Sequence, residues 1–301
     1  MTLEAVDGVN DKLIWQANLT APADDLIKVP SMMTAEVSQG LLPAIGMAGD
    51  QLAEGTRPHD PAAYNLYLHV LALPHDPKPN KDAIAVLEHA VQSDPNYAPA
   101  WEELGLRYYD DYSYSDGGED AFQRATNAWQ RALALDPNRI LSAGQLITHR
   151  VERGELRDAY EAAQALLRRR PDSAEVHFVM SYVYRYAGML EQSTKECDQA
   201  LALDPGNYTF RSCAWSFMEL GNTKRAADFI RLDAGSEWAK YVKPSLLLRE
   251  GDIAKAREAV AQMPADPRYH RDLVEACLGD ADSSGGRPNG ACGGNDGSDR
   301  V

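Results

Sequence analysis

The chain has 301 residues, 44% of them hydrophobic and 25% charged, ordinary values for a globular protein with room for a substantial core. Its formal net charge of −15 disfavours nucleic acid or an anionic membrane surface as the main partner and favours a basic protein or peptide. No apolar run reaches the length of a membrane span, and residues 1–11 lack the basic and apolar regions of a secretory signal, so cytoplasm is the expected compartment.

In chain order, residues 1–57 form a segment apart. After an Asp7-Gly8 turn, residues 12–20 combine apolar residues with β-formers and predict a strand. Asp24 or Asp25 can cap a helix running to about Leu42, with Pro30 in its early part. One strand and one helix cannot satisfy a sheet edge. The segment therefore reads as the tail of a larger α/β domain, or as a piece docked on the helix pair that begins near residue 61.

Residues 58–279 repeat. A first helix pair is predicted at 61–73 and 81–93, with a proline-rich connection at 74–79. Four breaks then punctuate the chain: Asp94-Pro95, Asp136-Pro137, Arg170-Pro171 and Asp204-Pro205. The last two intervals are 34 residues each and the first is 42, so one repeat carries eight extra residues, which the composition of 112–119 assigns to a loop. Each break comes after the same i, i+4, i+7 stripe: Ala83, Leu87, Ala90; Ala125, Trp129, Ala132; Ala159, Ala163, Leu166; Ser193, Cys197, Ala200. Small residues on such a face let two helices approach closely, and the proline ends the second helix.

Trp101, Leu104, Gly105 and Tyr108 have the spacing of the tetratricopeptide first helix, W-x2-L-G-x2-Y. Gly154 and Gly188, also 34 apart, mark the turns inside two pairs. Past Pro205 the pattern loosens. A first helix at 211–220, a second opened by Ala226-Ala227, and a further pair at 237–249 and 253–262 are predicted, with Pro244 bending or delaying the third of these helices. A short helix at 269–278 closes the array, about six pairs in all, and the Gly-, Ser-, Asn- and Asp-rich residues 280–301 are expected to be disordered.

Four cysteines (Cys197, Cys213, Cys277, Cys292) have no CxxC spacing. Two lie in apolar helical pattern and read as reduced, buried thiols; Cys292 reads as an incidental free thiol.

Residues 61–263 thus resemble tetratricopeptide (TPR) repeats. The resemblance implies an all-α fold, a right-handed α-α superhelix with a small N-terminal strand-helix segment, that holds a protein partner. A narrower resemblance rests on 181–190, Glu196-Cys197-Asp198, 200–205, 211–215 and 232–238. These are similar to the arrays that come after kinase, cyclase or winged-helix modules in bacterial signalling proteins, where a TolB-like segment often precedes the array and residues 12–46 resemble its end. The catalytic and DNA-binding motifs of those modules are absent from this sequence.

In the TPR family the inner surface is lined by positions 2, 5, 9, 12 and 13 of each unit. By that resemblance the groove would include Glu102, Leu106, Tyr109 and Asp110, then Thr148, Val151 and Glu152, then Glu175, Phe178, Tyr182, Arg185 and Tyr186, then Ser212 and Ser216. Phe178, Tyr182, Arg185 and Tyr186 are the strongest anchors, because aromatic and Arg residues dominate hot spots. The Lys/Asn carboxylate clamp of chaperone-type members is not matched: Glu102, Gly144 and Phe178 stand there.

No catalytic constellation emerges. The seven histidines are scattered without HExxH spacing, GxSxG and phosphate-binding glycine loops are missing, and Glu102-Glu103 and Asp110-Asp111 diverge by about 100° on a helix. His177 reads as a core or rim histidine, and the basic run 168–170 as cations complementing a helix end. Neither an enzyme, a metal nor a cofactor is expected. A homo-oligomer is the competing reading, through the array or through the unpaired strand around Trp15.

Overall fold

The computed structural model describes residues 1–8, 11–20, 54–263 and 274–279, with isolated positions between 29 and 41. Strands β1 (Thr2–Asp7) and β2 (Lys12–Asn18) pair antiparallel, Thr2 opposite Asn18 and Asp7 opposite Lys12, with a bulge between Ala5 and Val6. The strand predicted at 12–20 is therefore half of a hairpin, not a lone strand. Its partner β1, Thr-Leu-Glu-Ala-Val-Asp, carries only three apolar residues, and these do not alternate strictly with the polar ones, so it gives little strand signal. The helix predicted as far as Leu42 falls mostly outside the described residues, and the C-terminal tail 280–301 does so entirely.

The helices come in pairs: α1 (Pro61–Leu71) with α2 (Pro77–Ser93), α3 (Ala98–Tyr114) with α4 (Gly118–Leu135), α5 (Ile140–Glu152) with α6 (Leu156–Arg169), and α7 (Ala174–Tyr186) with α8 (Leu190–Leu203). A 3-10 turn (Tyr208–Cys213) leads into α9 (Ala214–Glu219), paired with α10 (Thr223–Arg231), and α11 (Glu237–Arg249) pairs with α12 (Ile253–Ala261). Residues 274–279 are again helical. Apart from the hairpin the described chain is all-α. It packs as two compact units, residues 1–113 with 117–139, and 114–116 with 140–301.

All twelve stripe residues are buried, none more than 6% exposed. The breaks share one geometry as well. The amides of Asp94, Asp136, Arg170 and Asp204 each bond the carbonyl four residues back, at 2.9–3.0 Å, and their own carbonyls accept from the residue three further on. Inside the pairs, Gly154, Gly188, Gly221 and Gly251 take φ of +72° to +80°. At each, the glycine N–H and the next N–H return to the helix as a Schellman cap, as in Gly188 to Arg185 O at 3.0 Å and Met189 to Tyr184 O at 2.9 Å.

The eight extra residues do not form a loop. Helix α3 has 17 residues against 13 in α5, and α4 has 18 against 14 in α6, with three residues between the members of either pair. Four residues is close to one turn, so each helix lengthens by a turn and the paired faces stay in phase. Tyr112 packs edge-on against Phe122 at 4.9 Å in the added turns. Two smaller departures concern prolines. Helix α2 begins at Pro77, four residues before the predicted start, because proline suits the first turn. Pro244 lies buried within α11 without delaying it.

The thiol reading is overturned. Cys197 on α8 and Cys213 at the end of the 3-10 turn form a disulfide, and Cys277 is disulfide-bonded too. Cys197 and Cys213 are 0% and 1% exposed, so the bond crosses the core of the second unit.

Candidate protein-binding surface

The expected groove residues fall in the two units. In the first, Glu102 is 6% exposed and ion-paired with Arg139. Its backbone carbonyl accepts from Trp129 Nε1 at 3.2 Å. Burial alone would lower the Arg139 pKa, but hydrogen bonding and charge from Glu102 leave it raised. Asp110 meets His75 Nδ1 at 2.5 Å. Tyr109 lies 6.2 Å from both Tyr112 and Trp129, and Leu106 is half-buried. This end of the expected surface is therefore already engaged in internal contacts.

Sequence reasoning missed what sits beside it. Tyr64, Tyr67 and Tyr97 form a cluster with centroids 5.3–6.3 Å apart. Burial, then the Glu103 charge, pushes the Tyr67 hydroxyl up to about 12. Arg107, wholly buried, donates to Glu103 at 2.8 Å and to the carbonyls of Val70, Leu73 and Pro74 at 3.1, 3.0 and 2.8 Å. It thereby satisfies the carbonyls of Leu73 and Pro74, just past the end of α1, and adds a second donor to Val70 O, which already accepts from Leu73 N–H. The available signal was the Glu103–Arg107 pair, spaced i, i+4 on one helix.

In the second unit Phe178 is 9% exposed and packs on Phe210 at 5.3 Å, as core. The other three anchors assemble. Tyr182 and Tyr186, one turn apart on α7, stack at 4.9 Å and 28°. The Arg185 guanidinium lies 4.6 Å from the Tyr182 ring and 5.3 Å from that of Tyr186, and donates to Ser212 O at 2.7 Å. Tyr182 O–H donates to Glu152 Oε1 on α5 at 2.8 Å. All three are half-buried, so the platform is held from below and open above. Of the other inner positions, Thr148 and Val151 are buried.

His177 proves to be a rim residue with a definite task. Its Nε2 meets Pro171 O at 3.0 Å, as Trp101 Nε1 meets Pro95 O at the same distance two breaks earlier, and its Nδ1 lies 2.6 Å from Glu196. Burial, then the nearby Arg153, pushes His149 on α5 down to about 3, which keeps it neutral. Among the described residues no cluster of His, Cys, Asp or Glu has the makings of a metal site, and no helix is long and apolar enough to cross a membrane.

Period, stripe, turn glycine and cap all coincide. The repeat is of the tetratricopeptide type. No protein-family model matches the sequence, and no curated protein does. Solved structures do resemble it. A TPR protein of Thermus thermophilus shares 18% identity, over 60% of this chain and 97% of its own, with a TM-score of 0.47. Pseudomonas aeruginosa pilF shares 16%, over 71% and 96%, at 0.42, and a TPR protein of Parabacteroides merdae 14%, over 74% and 88%, at 0.43.

Proposed function

We propose that the chain is a protein-binding module that grips an extended partner segment on the first-helix face of its second unit. The observation that carries this reading is the Tyr182–Arg185–Tyr186 platform. Two stacked rings and a guanidinium are locked by Glu152 and Ser212, so little side-chain entropy remains to be lost when a partner lands. The adjoining Glu152 and the net charge of −15 favour a partner with basic residues near its aromatic or apolar anchor. Service to a bacterial signalling or transcriptional regulator is the finer form of this proposal, and rests on the sequence resemblance of 181–190, 196–198, 200–205, 211–215 and 232–238 alone.

Peptides selected from a displayed library against the wild-type chain test the reading when re-measured on Tyr182→Ala/Arg185→Ala. A loss of about tenfold or more in affinity is expected, the scale of an aromatic-Arg hot spot, with the helical circular dichroism retained. Unchanged affinity in a folded variant removes the platform from the function.

One observation favours a second reading, self-assembly. Val6, Leu13 and Ile14 on the hairpin are 51%, 48% and 43% exposed, and a two-stranded sheet is marginal by itself. A strictly monomeric chain by light scattering at high concentration excludes it.

A further inference from the structure

A groove of about 350 Å³ lies in the second unit on elements that take no part in the Tyr182 platform, lined by α10, α11 and α12. Helix α11 buries Trp238, Ala239, Tyr241, Val242, Pro244, Leu246 and Leu248 and leaves Lys240 and Lys243 on an exposed edge beside the groove. Against this face the neighbours supply small side chains. Ala227, Ala234, Ala239 and Ala259 line the groove together with Ile230 and Leu246, and nothing on these positions is long enough to fill it.

The rim has the opposite sign to the molecule. Arg231, Lys240 and Lys243 stand around the apolar floor, with Gln262 the remaining polar lining residue. Arg231 pairs with Asp228. Lys240 and Lys243, three apart on one edge of α11, are exposed, and neither ammonium has an ion-pair partner among the described residues. In a chain of net charge −15, two uncommitted lysines beside an open apolar floor select an acidic partner. The volume is at the small end of ligand pockets, roughly 300–1,000 Å³, but those sites carry placed polar groups within. Here the floor is alanine, isoleucine and leucine and the charge is confined to the rim, the arrangement suited to a helix laid in a groove.

We propose that this groove is a second docking site, which receives an acidic amphipathic segment of a partner protein, its apolar side chains on the alanine-lined floor and its carboxylates on Lys240 and Lys243. It is independent of the Tyr182 platform, and the two would take partner segments of opposite charge.

The probe is a fluorescent helical peptide with leucines on one face flanked by glutamates, beside a twin with lysine for each glutamate. Anisotropy with the full chain should show binding of the acidic peptide and not of the basic one. Lys240→Glu/Lys243→Glu should weaken it by about tenfold, the effect of two reversed rim charges. Ala234→Trp, which fills the groove from an exposed position, should weaken it as well, and Tyr182→Ala/Arg185→Ala should leave it unchanged. The proposal is overturned if wild type binds neither peptide or both alike, or if the charge reversal has no effect in a chain of wild-type circular dichroism. It is equally overturned if only a free fatty acid such as dodecanoate binds, or if light scattering finds a wild-type dimer that the charge reversal dissociates, since the occupant is then a lipid or a second copy.

Discussion

The helix pairs α3–α4 and α7–α8 occupy equivalent places in the repeat and fill the space between their helices in different ways. In the first, the centre of the small-residue stripe is Trp129, fully buried, and the first helix answers with Gly105, where an added Cβ would stand 2.3 Å from the indole Nε1. In the second, the same stripe position is Cys197 and the facing position is Ser181, whose Oγ lies 3.6 Å from Cys213 Sγ. Between them, α5–α6 sets Ile147 and Ala163 in one packed cluster. Bulk moves from one helix to the other while the repeat is kept, because close-packed interiors conserve volume more strictly than identity.

The sharpest way to break that comparison is at Trp129. Trp129→Ala should cost about 3–5 kcal/mol in urea unfolding, and Gly105→Ala about 1–3 kcal/mol by overpacking. In the Trp129→Ala background, Gly105→Ala should cost far less, because the clash is gone. Additive costs would show that the two residues do not share one space.

Next in size is the disulfide. Cys197→Ala/Cys213→Ala should cost about 3 kcal/mol, the scale for closing a loop of some 15 residues. Hydrogen exchange should show protection falling in α7–α10 and not in α1–α4. The residues are 16 apart, too far for any local motif to announce a pairing. They meet because α8 ends at Asp204 and the chain turns back on itself, so the bond became visible only with the fold. The stripe, the breaks and the turn glycines were legible because each is a local requirement repeated at a fixed interval. The added turns of α3 and α4 were not, since Tyr112, Ser113, Tyr114, Gly118 and Glu119 flank the short Ser115-Asp116-Gly117 connection in one run of loop composition, and only the phase of the neighbouring helices draws them into helix. The residue types of the Tyr182 cluster were legible at one helical face; the burial of Glu102 and Phe178 was not, because Arg139 and Phe210, which they meet, come from later in the chain.

A smaller effect separates the turns. Gly188 has φ of +72° with open space about its Cβ, so Gly188→Ala should cost about 1 kcal/mol through the backbone alone. In the lengthened pair Gly117 is not left-handed, and a Cβ there would lie 2.5 Å from Asp111 Oδ2. Gly117→Ala should therefore be partly rescued by Asp111→Ala, the Ala121 Cβ at 2.6 Å keeping the remainder, and no side-chain change should rescue Gly188→Ala. Thermal unfolding of the four variants checks both statements.

The last contrast vanishes at neutral pH and opens in alkali. Burial raises Tyr64, Tyr67, Tyr97 and Tyr108 above the ordinary tyrosine value of 10.0, Tyr67 to about 12 with further help from Glu103. All four lie in the first unit, and Tyr184 in the second is raised by burial as well. A tyrosine raised on folding holds its proton more tightly folded than unfolded. Its contribution is whole below pH 10 and is lost as pH climbs through the folded value, so for Tyr67 the window runs from about 10 to about 12. Protection of α1–α4 should fall first across that window and that of α5–α8 later. Tyr97→Phe should narrow the gap, since phenylalanine keeps the edge-on contacts of Tyr97 with Tyr64 and Tyr67, at 6.0 and 5.3 Å, and has no proton to lose. Equal loss in both units would mean that the tyrosine cluster opens to water before it titrates.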